Sequence, residues 1–195
     1  MTYLSHIIYN CLITSTKVSK ILDTLLDAAA AVLARNPGAS IADVAVRAGV
    51  SRATLYRYFP SREALIRALA IEALGQTDGA IAPLRDQTLS STETLQLTIG
   101  ALIPLGERFH FLTTEFGVMG DPEVAEIYER QQSELSDLVE AVKAEGGIAR
   151  EIPTAWVVTV IDTLIYAAWT SVEEGFIASR DAVDLVNRTL FSGLS

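Results

Sequence analysis

The sequence predicts an all-α fold of about nine helices in two parts, a three-helix N-terminal head of helix-turn-helix type and a larger helical body. Three observations predict it. Apolar residues recur at three- and four-residue spacing along most of the 195 residues, the period of a helix with one buried face. Capping and stop residues cut that pattern into helix-sized pieces. No alternating segment is followed by a hairpin turn, so nothing reads as a sheet.

In the first helix Ile21, Leu22, Leu25, Leu26, Ala29, Val32 and Leu33 make one apolar face, and Asn36-Pro37-Gly38 stops it. Ser40 reads as an N-cap, with Asp43 at the third position completing a capping box for a short helix from Ile41 to Arg47. Ala48-Gly49-Val50 is a tight turn in which Gly49 is free to take positive φ. Ser51 caps a third short helix that runs to about Tyr58, and Phe59-Pro60-Ser61 separates it from a fourth, Arg62 to about Leu74, which leads into the body.

Two short helices joined by a three-residue turn with a glycine form the helix-turn-helix arrangement, whose second helix enters the DNA major groove. Ala45 is small where the helices approach, and Val44, Val50 and Leu55 are placed to fill the core between them. The other face of the third helix offers Arg52, Thr54, Tyr56, Arg57 and Tyr58, groups that reach phosphate oxygens and base edges. The alternative for Tyr56 and Tyr58 is packing under the fourth helix, and for Arg47 a solvated surface. Charge divides the chain in the same sense: residues 17–75 carry a net +3 and the remainder −12, within a total of −9. A basic head on an acidic body suits local contact with a polyanion, whereas the total excludes a surface that is basic throughout.

The stretch from Ile21 through Leu69, above all Ser40-Ile41-Ala42-Asp43-Val44-Ala45 and the run from Ala48-Gly49-Val50-Ser51-Arg52 through Tyr58-Phe59-Pro60 to Leu65, resembles the DNA-binding head of the tetracycline repressor (TetR) family. The resemblance implies that Thr54, Tyr56 and Tyr58 touch backbone or bases, that Ser40 and Arg62 hold phosphates, and that Arg52 and Arg57 read bases. It places Arg47, Ser51 and Ala53 in the same DNA-binding set. Ala53 stands where the family often has glycine and keeps the close approach to DNA; Arg62 stands where it often has lysine. Double-stranded operator DNA and a second copy of the chain are the implied partners.

Beyond residue 76 the likeness is architectural only. A helix from about Ser91 to Leu102 is interrupted near Pro104-Leu105-Gly106, and an aromatic-rich segment, Glu107 to Gly117, follows. Asp121-Pro122 opens a helix that carries Val124, Ile127, Leu135, Leu138 and Val142 to a stop at Gly146-Gly147. Pro153 opens the next, which runs to about Glu174 and is apolar on most sides; a last helix spans roughly Arg180 to Phe191.

So apolar a helix suggests burial against a second copy, through Val157, Ile161, Leu164, Ile165 and Trp169 together with Val183, Val186 and Leu190 of the last helix. The alternative is a monomer in which that helix is central. Its polar stripe suggests a small-molecule cavity lined by Trp156, Thr159, Asp162, Thr163 and Tyr166, with Phe109, His110, Phe116, Met119 and Tyr128 from earlier helices. The other reading turns the stripe toward solvent or the partner.

Cys11 is alone, so no internal disulfide or cysteine zinc site is expected, and His6 and His110 have no ligand spacing. No phosphate loop, nucleophile elbow or paired-carboxylate motif occurs. No enzyme activity, metal or cofactor is therefore expected. No secretory signal opens the chain, and Ala155 to Val172, with Asp162 near its centre, reads as a buried helix rather than a membrane span. The expected organisation is an N-terminal arm over 1–16, a DNA-binding domain over 17–75, and a ligand-binding and dimerisation domain over 76–195. The expected function is a cytoplasmic, homodimeric repressor released from a palindromic operator by a small molecule. Two rivals are an adaptor controlled by a protein partner and a small-molecule binder with a vestigial head.

Overall fold

The computed structural model describes residues 20–106, 118 and 120–192, and every regular element among them is helical. The all-α expectation holds. Eight α-helices occur among the described residues: α1 over 20–33, α2 Ile41–Arg47, α3 Arg52–Tyr58, α4 Arg62–Ile81, α5 Ser91–Leu102, α6 Pro122–Glu145, α7 Thr154–Glu173 and α8 Ser179–Ser192. Single 3-10 turns at Ala82–Leu84 and Ile103–Leu105 each begin around a proline. The expected arm over 1–16 and the whole aromatic segment 107–117 lie outside the described residues.

The chain divides into two compact units between Leu69 and Ala70. In the first, α1 buries Leu25, Leu26, Ala29 and Leu33, α2 buries Val44 and Ala45, and α3 buries Leu55. Short helices of seven residues form because their ends are satisfied locally. The Ser40–Asp43 capping box is complete at α2, and the Ser51 side chain accepts the Thr54 N–H at α3. Gly49 turns the chain between them at φ +67, a conformation that a side chain would strain.

The fourth helix is longer than its sequence suggested, reaching Ile81 rather than Leu74. Gly75 and Gly79 each cost a helix about 1 kcal/mol without stopping it, and tertiary bonds offset that cost. Gln131 Nε2 donates to the Leu74 carbonyl at 2.9 Å and to Asp78 Oδ1 at 3.0 Å. In addition, Ala73 and Leu74 are buried.

In the second unit α5 to α8 close around Leu95, Ile99, Leu102, Val139, Val142, Val157, Ile161 and Val186. Asp121 caps α6 through the N–H groups of Glu123 and Val124, and Gly146 ends it at φ +85. Glu145, the last residue of α6, accepts from the N–H groups of Ser91 and Thr92 at 2.8 and 3.1 Å and so covers the start of α5.

Helix α7 corrects the expected dimer surface. Val157, Ile161 and Ile165 on α7 and Val186 on α8 are buried in the protomer's own core, so they offer nothing to a second copy. Leu164, Val183 and Leu190 are half-buried against that core. Trp169 is half-buried and packs so closely at Gly106 that any side chain there would collide with its Cβ and ring. Although α7 has the length and hydropathy of a membrane span, one of its faces is core and the other carries Thr159, Asp162 and Thr163.

Candidate functional site

The second helix of the helix-turn-helix is built to present side chains outward. Leu55 points into the head and Phe59, just past the helix, is also buried, which leaves Arg52, Ala53, Tyr56 and Arg57 exposed. Tyr56 is 47% exposed, which decides against core packing for it. Tyr58 is half-buried, and the Arg57 guanidinium lies over its ring at 5.3 Å, a cation–π contact that holds the arginine along the exposed face. Thr54 is half-buried, its hydroxyl 2.9 Å from that of Ser51. Arg47 is exposed at the end of α2, beside Val46, which is 80% exposed.

Two residues expected at phosphates are occupied inside the head. Arg62 donates from Nη1 to the Ala39 carbonyl and from Nη2 to the Pro37 carbonyl, both at 2.6 Å. It is a strut between the start of α4 and the α1–α2 connection. Ser40 donates its hydroxyl to Asp43 Oδ2 at 2.8 Å and its backbone N–H to the same oxygen at 2.8 Å. These bonds hold the Asp43 carboxyl below its usual range. The structural duties of both residues follow from the caps and turns; the phosphate roles had come from resemblance alone.

The body contains a cavity of about 260 Å³ between α4, α5, α6 and α7. Thr77 and Ile81 of α4, Leu84 and Arg85 after it, and Thr94, Thr98 and Leu102 of α5 form one side. Tyr128, Gln131, Gln132, Glu134, Leu135 and Leu138 of α6 form another, and Asp162 is the contribution of α7. Of the expected lining set, Tyr128 and Asp162 are in place. Phe109, His110, Phe116 and Met119 lie outside the described residues. Trp156 is 64% exposed, and Thr159, Thr163 and Tyr166 are also exposed, all away from the cavity walls. Threonine hydroxyls on a helix satisfy themselves one turn back: Thr159 donates to the Ala155 carbonyl and Thr163 to that of Thr159. Thr159 and Thr163 therefore needed no cavity, whereas Asp162 of the same stripe lines one.

The missed residues had a signal. Tyr128, Gln131, Leu135 and Leu138 share one face of α6 at helical spacing, so a glutamine interrupts an apolar row; Thr94, Thr98 and Leu102 do the same on α5. Around the cavity rim the charges are tied together. Arg130 bridges Asp78 at 2.6 Å and Glu134 at 2.9 Å, and Arg85 reaches the other oxygen of Glu134 at 2.9 Å. Asp162 is different. Its side chain is open to the cavity, yet the surrounding protein strips enough water to push its carboxyl up to about 6, against a hydrogen bond with Gln132 that lowers it. Burial, and then the Asp162 charge, raise Tyr128 in turn.

Residues 25–69 match the family model of bacterial regulatory proteins of the tetR family, which spans the helix-turn-helix just described. Over 170 residues the chain is 29% identical to the HTH-type transcriptional repressor LfrR of Mycolicibacterium smegmatis, covering 87% of this chain and 88% of the relative. The head therefore carries a DNA-binding segment of TetR-family type, and the chain over most of its length is similar to a transcriptional repressor. A crystal structure of LfrR in complex with proflavine is 27% identical with a TM-score of 0.74, covering 92% of this chain and 98% of that one. A TetR family transcription regulator from Marinobacter aquaeolei, 22% identical with a TM-score of 0.69 over 92% of this chain and 97% of the other, shares the fold. The outward face of α3 belongs to the segment that matches the TetR-family model; the cavity lies entirely beyond it.

Proposed function

We propose that this chain is a cytoplasmic, homodimeric repressor of the TetR family that binds a palindromic operator and is released from it by a small molecule. The observation that carries the reading is the outward face of α3, where Arg52, Tyr56 and Arg57 are exposed together on a short helix capped at Ser51. In this reading Arg52 and Arg57 read base edges, Tyr56 and Thr54 contact the backbone, and Ala53 lets the helix approach. Tyr58 steers Arg57, and Arg47 adds a phosphate contact from α2. Ser40, Ser51 and Arg62 act by fixing the shape of the head.

Dimerisation falls to the outward faces of α7 and α8, with Trp156, Thr159, Thr163 and Tyr166 as the surface that one protomer leaves uncovered. The cavity supports a small effector, as does the likeness to a repressor crystallised with proflavine. Release is a population shift. An effector that binds better to a conformation with wrongly spaced heads weakens operator binding, and a coupling of about 1 to 3 kcal/mol corresponds to a loss of about 5- to 150-fold.

Selection of binding sites from random duplex DNA by the purified chain tests the reading. Enrichment of a palindrome whose affinity falls steeply with salt is the expected result. A folded dimer that enriches no sequence would overturn it.

A further inference from the structure

Among the described residues the cavity wall carries three charged side chains, Arg85, Glu134 and Asp162. The first two neutralise each other at 2.9 Å, and Glu134 also takes Arg130 at 2.9 Å. Among the described residues Asp162 has a hydrogen bond with Gln132 and no ion pair. It faces a space bounded largely by Leu84, Leu102, Leu135 and Leu138. A carboxylate that has lost part of its water and has no ion pair among the described residues is an unfavourable arrangement that a cation in the same space relieves. An anionic ligand would deepen it, and an uncharged one would leave it unrelieved.

We propose that Asp162 makes this cavity a site for compact lipophilic cations, aromatic ones above all, with its carboxylate as their counter-ion and the Tyr128 ring as a second, face-on partner. The inference rests on the reading of the body as an effector domain and names the class of effector. The leucines supply the apolar walls, Gln131 and Gln132 supply polar edges for ring amines, and Tyr128 is half-buried beside Asp162, close enough to feel its charge. Size sets an upper limit: about 260 Å³ admits a few fused rings rather than a long acyl chain with a large headgroup.

Because the carboxyl loses its proton at about 6 in the empty site, cation affinity is full above that pH and falls as the pH drops through it. Among the described residues the other ionisable groups on the wall are Tyr128 and Glu134 of α6 and Arg85. Tyr128 is raised from an already alkaline range and stays neutral, while Glu134 and Arg85 hold each other.

The test is a fluorescence titration of the full chain with proflavine, a cation at neutral and mildly acid pH, and with acridone, an uncharged three-ring molecule of the same outline. Both are run at pH 7.5 and 5.0 on the wild type, Asp162→Asn and Asp162→Glu. Expected are a preference of at least about tenfold for proflavine at pH 7.5 and a reduction of that preference by about tenfold at pH 5.0. Asp162→Asn brings the ratio close to one at both values, and Asp162→Glu restores a preference. A wild type that binds the two dyes equally, or binds neither, overturns the proposal without reference to any variant. So does an Asp162→Asn protein that keeps the preference. Operator binding on the same samples separates the two readings: Asp162-dependent dye binding that leaves the operator complex intact overturns effector release and leaves the cation site standing.

Discussion

Head and body are made from the same material, amphipathic helices at three- and four-residue spacing, yet they place function on opposite sides of it. In the head the working surface is outside. Helix α3 buries Leu55 and leaves Arg52, Ala53, Tyr56 and Arg57 exposed, so packing and working surface separate along one short element. In the body the candidate working surface is inside, a cavity to which α4, α5, α6 and α7 each lend a few residues. No single helix there announces it. A surface that binds a polymer is continuous along one element, whereas a space that binds a small molecule exists only between elements.

The largest effect expected from this contrast lies on α7, whose two faces the sequence did not distinguish. Ile161 is 1% exposed, and Ile161→Ala should remove about 3 kcal/mol of stability, read as a lower urea midpoint with an unchanged slope. Trp156→Ala, on the opposite face, should leave the stability of the protomer within about 0.5 kcal/mol. If that face joins two copies, the same change should weaken dimerisation, measured by sedimentation over a dilution series. Equal losses from both substitutions would erase the distinction between an inner and an outer face.

Within the head, Arg57 and Arg62 divide in a similar way. Arg57→Ala should weaken the best operator by about 1 to 3 kcal/mol and relax its sequence preference, with the melting temperature of the head nearly unchanged. Arg62→Ala removes the donor to the Pro37 and Ala39 carbonyls. It should cost about 2 kcal/mol of stability, because a charged donor to two backbone acceptors is lost. Sequence preference should survive it. A melting temperature unaffected by Arg62→Ala, with weaker binding to every duplex, would return Arg62 to the phosphate role that resemblance had given it.

The unequal legibility of the two regions has physical causes. Caps and turns are local, so Ser40, Gly49, Asp121 and Gly146 were readable from neighbours within four residues, and each sits where the sequence placed it. Burial is not local. Val157, Ile161 and Ile165 lie on a helix that is apolar nearly all round, and nothing in its own sequence says which apolar side meets α5 and which lies open. The end of α4 escaped for the same reason: a bond from Gln131, fifty-seven residues further on, carries the helix past a glycine. Helix α5 starts at Ser91, as its sequence suggested, and Ser90 and Glu93 close a capping box of the same local kind.

Two carboxylates of the body should titrate with opposite signs, and here the effect is smaller. Glu145 is held at about 2 by the hydrogen bonds it accepts from Ser91 and Thr92, below its ordinary 4.5. Its contribution is therefore present above pH 4.5 and is lost as the pH falls toward 2, so Glu145→Gln should lower the melting temperature at neutral pH and make little difference in strong acid. Asp162 runs the other way. Its carboxyl is raised from 3.8 to about 6, so between those values the native chain holds a proton that the unfolded chain has lost. Stability must then fall as the pH rises through that window and stay reduced above it. Since the side chain is open to the water of the cavity, the cost at pH 7 is about 1 kcal/mol rather than the full equivalent of the shift. Asp162→Asn should accordingly stabilise the body by about 1 kcal/mol at pH 7, with the gain vanishing near pH 4, in parallel chemical denaturation series. A gain of that sign marks a residue that opposes the fold in which it sits, as a preorganised counter-ion must. A loss at pH 7 would instead make Asp162 a structural partner of the helices around it, and the head would be left as the one region with a working surface set apart from its packing.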